Sequence, residues 1–251
     1  MSTTKWKKML PVVLTAALSV PGAAEAAPSA ASTLLRPNTH GKSLTTPVAW
    51  GAYGNVVFAG VGGTWDAPYS SEADGAALLG AGFGDPEKGI GIHAALVSLD
   101  LDEWEEYSMN IHAFRQLNEC TAIGAGVESV MLTEGGDAEE SFYLVGSHQA
   151  TKNLHLSIGV GSNRFGEKSD ADVADGHDRY GSYVFGSVAY ELFDEFNAIV
   201  DWNGLNLNAG ISKTFHVENI PLAVTVGAAD LTDNSGDEVR FIFGLGTGFK
   251  I

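Results

Sequence analysis

The carboxyl-terminal stretch Val239-Arg-Phe-Ile-Phe-Gly-Leu-Gly-Thr-Gly-Phe-Lys-Ile251 alternates in polarity along almost its whole length. In an extended chain, Val239, Phe241, Phe243, Leu245, Phe249 and Ile251 fall on one face. Arg240, Gly244, Gly246, Gly248 and Lys250 fall on the other, with Ile242 the exception. A period of two marks a β-strand with one apolar and one polar side. From about Val48 onward the chain breaks into segments of this kind, with Gly, Asp and Asn between them, and helical spacing is weak throughout.

Working back from that strand, twelve are expected. They lie near 55–65, 75–84, 89–99, 104–116, 120–132, 140–149, 153–163, 181–192, 196–203, 205–215, 221–229 and 239–251. Most are long enough to cross a bilayer at a tilt, and longer than the usual strand of a water-soluble protein. An even number lets an antiparallel sheet close into a barrel with both ends of the chain on one side. Asn203-Gly204 reads as a two-residue type I′ hairpin turn. Folding there pairs Trp202 with Leu205, Val200 with Leu207 and Ala198 with Ala209 on one face. On the other face Asp201 meets Asn206 and Ile199 meets Asn208.

The start of the chain has a different character. Residues 1–26 read as a secretory signal peptide: Lys5, Lys7 and Lys8, a short apolar run from Met9 to Val20, Pro21-Gly22, and Ala24-Glu25-Ala26 as a small-x-small cleavage pattern. Residues 27–47, rich in Ala, Ser, Thr and Pro, read as a flexible leader, and 48–251 as the barrel. No run of eighteen apolar residues follows the signal region, so a membrane-embedded form has to be built from strands.

Charge orients the barrel. The chain carries 31 acidic against 14 basic residues. Removing residues 1–26 discards three lysines and Glu25, which leaves 30 acids and 11 bases. The connections after odd-numbered strands are mostly long: Asp66–Asp74, Asp100–Glu106, Glu134–Glu140, Arg164–Tyr180, the Asn203-Gly204 turn and Asp230–Glu238. Together they hold 21 acids and only three bases, Arg164, Lys168 and Arg179. The opposite connections are short and balanced, as in Asp85-Pro-Glu-Lys88. Short inner turns with longer outer loops are the pattern of outer-membrane barrels. With no basic patch, nucleic-acid binding is excluded.

Several stretches carry a resemblance. Thr46-Pro-Val-Ala-Trp-Gly-Ala-Tyr-Gly54, Gly80-Ala-Gly-Phe-Gly-Asp-Pro-Glu-Lys-Gly-Ile-Gly91 and Gly159-Val-Gly-Ser-Asn-Arg-Phe165 resemble a group of outer-membrane β-barrel proteins common in cyanobacteria. So do Phe185-Gly-Ser-Val-Ala-Tyr190, Asp201-Trp-Asn-Gly-Leu-Asn206 and Gly244-Leu-Gly-Thr-Gly248. The second half is similar, more loosely, to the barrel of YjbH-type outer-membrane proteins linked to exopolysaccharide. The last strand, ending in Phe249 and Ile251, looks like the signal by which the barrel-assembly machinery takes up its clients, with Ile in place of the commoner Phe or Trp. The resemblance implies a fold and a compartment, the outer membrane, and no catalytic residues.

Candidate chemistry is thin. The paired glycines Gly80/Gly82/Gly84, Gly89/Gly91, Gly124/Gly126, Gly159/Gly161 and Gly244/Gly246/Gly248 are followed by no helix, so a phosphate-binding turn is not supported. They are expected on the lumen face, with Leu79, Ala81, Phe83, Ala125 and Leu245 outside. The run Asp170-x-Asp172-x-x-Asp175-Gly-x-Asp178 misses EF-hand spacing by one residue and lacks the closing glutamate. Five acidic loops at one rim are nevertheless expected to concentrate divalent cations and to bridge through them to lipopolysaccharide. His40, His93, His112, His148, His155, His177 and His216 show no metal spacing. Cys120 stands alone, without a disulfide partner. Ser157 near His155 and Ser147 beside His148 are expected to point to opposite faces, which argues against a hydrolase. The expected lumen set is Asn197, Asp201, Asn206, Asn208, Ser212, Arg240 and Lys250. No catalytic, cofactor-binding or metal-ligating residue is assigned, and no cofactor is expected.

The expectation is therefore an all-β, closed antiparallel transmembrane barrel of the outer membrane. It would act as a passive narrow channel, cation-preferring if open, or as a structural envelope protein. The alternative is an accessory role in exopolysaccharide export, with a membrane-embedded hydrolase the least supported reading. Partners implied are outer-membrane lipid and lipopolysaccharide, the assembly machinery and divalent cations.

Overall fold

A computed structural model describes residues 40–65, 74–98, 106–133, 139–218, 220–235 and 238–251. The expected signal peptide, the leader up to residue 39, and most of the acidic connections at 66–73, 99–105 and 134–138 lie outside the described residues. Twelve strands run in chain order. They are β1 Val56–Trp65, β2 Asp74–Gly84, β3 Gly91–Ser98, β4 Tyr107–Asn118, β5 Thr121–Met131 and β6 Ser141–Gln149. The second half holds β7 Leu154–Gly161, β8 Val184–Phe193, β9 Phe196–Trp202, β10 Leu207–Val217, β11 Ile220–Ala229 and β12 Arg240–Lys250. Each pairs antiparallel with the next, and β12 closes on β1 from Val56 opposite Lys250 to Trp65 opposite Phe241. The sheet is a closed barrel with no free edge.

Alternation decides what each face meets. Along β6 and β12 buried and exposed residues take turns. The outward set includes Leu79, Phe83, Leu144, Ile158, Val188 and Phe241, all at least half exposed apart from Val188 at 48%. A water-soluble monomer does not show a continuous apolar belt of this kind, whereas hydrocarbon accepts it. Aromatic residues border the belt at both ends: Trp65, Phe142 and Tyr180 at the end with long connections, and Phe193, Phe215 and Phe249 at the end with short turns. The interior is the reverse of a soluble core, because buried polar side chains outnumber buried apolar ones among the described residues. This is a transmembrane barrel of the outer-membrane type.

Local chemistry sets the turns. In the short turn between β2 and β3, Asp85 Oδ1 accepts from the Glu87 and Lys88 amides at 3.0 and 3.3 Å. The Lys88 ammonium at 3.1 Å donates to the same carboxyl and holds it below the usual carboxylate range. The hairpin at Asn203-Gly204 differs from expectation. Leu207 pairs with Trp202, Asn208 with Asp201 and Ala209 with Val200, so the register is displaced by two residues. The reason lies in two asparagines. Asn203 Oδ1 accepts from the Leu205 and Asn206 amides at 2.9 and 2.7 Å, closing a loop over 203–206. Buried Asn206 is meanwhile held by the β11–β12 connection, donating to Ser235 Oγ at 2.6 Å and accepting from the Asn234 amide at 2.7 Å. A shift of two leaves every side chain on its expected face.

Candidate functional site

The wall of the barrel begins at Val56, and the described stretch 40–52 before it is inside. Residues 40–52 are all buried, so the described part of the expected leader and the first residues assigned to the barrel together fill the lumen. They form a U. Gly41 accepts from Ser212 Oγ at 2.9 Å, near the short-turn end of the wall. The chain rises to Thr45 and Thr46 near the long-connection end. It then returns to Gly54, whose amide donates to the Gly84 carbonyl at 3.1 Å, and to Asn55, whose carbonyl accepts from the Ile251 amide at 2.9 Å. Gly41 and Gly54 sit at the two feet of the U with φ of 66° and 70°, in the left-handed region that a side chain disfavours.

The rising arm is held by polar contacts. Lys42 Nζ donates to Asn197 Oδ1 at 2.6 Å and lies 3.4 Å from Glu191 Oε2. At the top, one carboxylate gathers the turn. Asp201 Oδ2 accepts from the amides of Leu44 and Thr45, both at 2.8 Å, and from Ser43 Oγ at 3.0 Å. Its Oδ1 accepts from Thr45 Oγ1 at 3.1 Å and from Asn208 Nδ2 at 2.7 Å. Successive amides aimed at one oxygen are what an unpaired turn offers an anion, and the carboxylate satisfies donors that would otherwise be buried without partners. From the outer end, Arg164 Nη1 donates to the Thr45 carbonyl at 3.3 Å while its Nε donates to Glu128 Oε2 at 2.5 Å. A β-bulge makes that pair possible. The β4–β5 register shifts between Met109 and Ile111, and Asn110 Oδ1 accepts from the Ser129 amide at 2.9 Å while Glu128 is buried.

The returning arm is held by packing. Val48, Ala49 and Trp50 share an apolar cluster with Ala122, Tyr143, Val145, Phe165 and Phe185. The Ala49 amide donates to Ser147 Oγ at 2.8 Å, and its carbonyl lies 3.3 Å from His112 Nε2. Because a carbonyl only accepts, Nε2 of a neutral His112 carries the proton, and Nδ1 then accepts from Tyr143 Oη at 2.8 Å. Rings line this half of the lumen in sequence: Phe58 against His93 at 5.7 Å, His93 against His112 at 4.9 Å, and His112 against Tyr143 at 5.7 Å.

The lumen is thus two-sided. The aromatic side needs the glycines that the sequence placed inside. A Cβ on Gly80 would stand 2.3 Å from the Phe58 ring, and one on Gly126 would stand 2.5 Å from Tyr143 Cζ. The polar side, on β9 to β12 and the loop between β9 and β10, contains Asn197, Asp201, Asn206, Asn208, Ser212 and Arg240, all buried as expected, while Lys250 is exposed at the barrel's end. Arg240 Nε donates to Asp230 Oδ2 at 2.6 Å. Ile242, the exception in the last strand, is buried in a cluster with Leu44, Ala189, Ile199 and Ala229. Leu44, at the top of the U, is the reason an apolar side chain fits on that wall.

The remaining candidates separate. His155 and Ser157 are two apart on β7 and share the lumen side, which corrects the expectation that they oppose one another. Ser157 Oγ is 2.7 Å from Ser147 Oγ. His148 faces outward, 3.0 Å from Thr121 Oγ1 and away from Ser147. In the acidic run, Asp170 accepts from Arg179 Nη2 at 2.8 Å. Asp172 and Ser169 exchange side-chain-to-amide bonds at 3.0 and 3.1 Å around the short helix α1 Asp170–Ala174.

These features define a class: an outer-membrane β-barrel whose lumen is occupied by its own amino-terminal loop. No family model and no curated protein matches the chain. Among solved structures it is similar to the KdgM porin, at 13% identity over 78% of this chain and 99% of that one, with a TM-score of 0.48. It is also similar to outer membrane phospholipase A from Escherichia coli, at 10% identity over 78% of this chain and 90% of that one, with a TM-score of 0.44.

Proposed function

We propose that the protein is a passive channel of the outer membrane for small solutes, preferring cations, in a resting state that its own residues 40–55 close. The observation that carries this reading is the polar wall. Asp201, Asn208 and Ser212 bond the backbone and hydroxyls of a loop and Asn197 accepts from the loop's Lys42 ammonium, and water can take the loop's place at each of these bonds. The groups that now serve the loop's backbone are the ones that would wet the lumen once the loop left it. The acids predicted in the long connections add a negative mouth, which enriches cations locally. The test is planar-bilayer recording on refolded full-length protein, with heat-modifiable migration in detergent gels as proof of folding. Expected are brief openings of small conductance whose reversal potential favours potassium over chloride. A folded barrel that never conducts at any voltage would leave a structural envelope role instead.

The same acidic rim supports a partner: divalent cations bridging to lipopolysaccharide. Chelation in native membranes should lower the temperature at which the barrel unfolds, and an unchanged transition would remove the bridge.

A further inference from the structure

The two arms of the U are held by different physics, and that difference assigns them different roles. The returning arm, 48–52, is embedded in rings and aliphatic side chains, contacts that water cannot replace without cost. The rising arm, 41–46, is attached to the wall by hydrogen bonds and one ion pair, and only its Leu44 is packed in an apolar cluster, with Ala189, Ile199, Ala229 and Ile242. Its principal anchor is a single residue, because five donors converge on Asp201 and four of them belong to the loop.

We infer that the rising arm is a removable gate latched by Asp201, and that the same carboxylate is the cation-selecting group of the path its departure opens. This rests on the channel reading above. Gly41, in the left-handed region at the foot of the arm, and the tip at Thr45–Thr46 bound what moves, while Val48 to Ala52 stays packed. The selectivity follows from charge. With the gate shut, Lys42 sits against Glu191 inside the lumen. When the arm leaves, Lys42 leaves with it. The Arg240–Asp230 and Arg164–Glu128 pairs stay matched on the wall, so Asp201 and Glu191 become the unbalanced charges facing the new path. A narrow pore lined by an uncompensated carboxylate passes cations in preference to anions.

The experiment compares wild type with Asp201→Asn in planar bilayers, each checked for folding by heat-modifiable migration. Asparagine keeps the shape of the carboxylate but removes its charge, so the variant should show about a tenfold rise in open probability, the effect of losing charge-assisted hydrogen bonds. It should also show a reversal potential shifted toward zero in a salt gradient. If wild type conducts and the variant has the same open probability and selectivity, the latch is wrong while the channel stands. If neither conducts although both are folded, the channel reading fails and this inference with it. A second variant guards against misfolding. Thr45 Oγ1 lies 3.0 Å from Asn208 Nδ2, so Thr45→Cys with Asn208→Cys, in a Cys120→Ser background, should tie the arm to the wall. Current should stay low when oxidised and rise several-fold on reduction. Equal currents in the two states overturn a moving arm.

Discussion

Gly159 faces the lumen beside a ring that leaves no room for a side chain. A Cβ there would lie 2.2 Å from Phe185 Cζ and 2.6 Å from the Leu144 carbonyl oxygen, and the second of these is backbone that cannot step aside. Gly159→Ala should therefore destabilise the barrel by about 1–3 kcal/mol, the usual cost of overpacking. Gly146→Ala, on a neighbouring strand with nothing within 4 Å, should stay within about 0.5 kcal/mol of wild type. Urea titrations of the two variants in lipid, read by gel migration, make the comparison. The Arg240–Asp230 pair sets a larger scale, because both side chains are nearly inaccessible at 4% and 2%. Arg240→Met strands a buried carboxylate and should cost about 3–5 kcal/mol by the same titration. Adding Asp230→Asn should recover part of that loss, because the uncompensated charge is gone. No loss of stability in Arg240→Met alone would mean that water reaches Asp230.

At the scale of the element, the strands were readable because burial imposes a period of two, and the last strand shows how far that reading goes. Its faces, the lumen position of Arg240 and the oddity of Ile242 are all visible in thirteen residues. What Ile242 meets is not visible, because Leu44 is some two hundred positions away in the chain. The loop at 40–55 has no period, since its backbone bonds go to side chains of distant strands rather than to a partner strand. The one local hint was a pair of apolar residues, Ile199 and Ile242, on an otherwise polar wall. The β9–β10 hairpin failed for a related reason: Asn206 is held by the next connection, and a two-residue turn cannot know of it. Two outward cysteine pairs separate the registers. Val200→Cys with Ala209→Cys, directly opposite in the structure, should oxidise readily in a Cys120→Ser background. Val200→Cys with Leu207→Cys, opposite in the tighter turn, should stay largely reduced. The reverse pattern would restore the two-residue hairpin.

For the molecule as a whole, two sets of acids act over different distances. Among the described long connections Glu139, Glu140, Asp170, Asp178, Asp233 and Glu238 face water, where salt screens them: the screening length is about 8 Å at physiological ionic strength and about 3 Å at 1 M. Asp201 is buried at 1% exposure, and on the gate proposed above any ion crossing the path beside it would pass within contact distance, where screening has little reach. Selectivity should therefore fall with salt in two parts. In wild type, the preference for potassium over chloride should weaken between 0.1 M and 1 M salt as the mouth is screened, and then level off at a residual value set inside the lumen. In Asp201→Asn the residual should largely vanish at high salt while the salt-sensitive part survives at low salt. Reversal potentials measured across a fixed gradient at both concentrations give all four numbers. A wild-type preference that disappears entirely at 1 M would place selection at the rim alone, and one independent of salt would place it in the lumen alone.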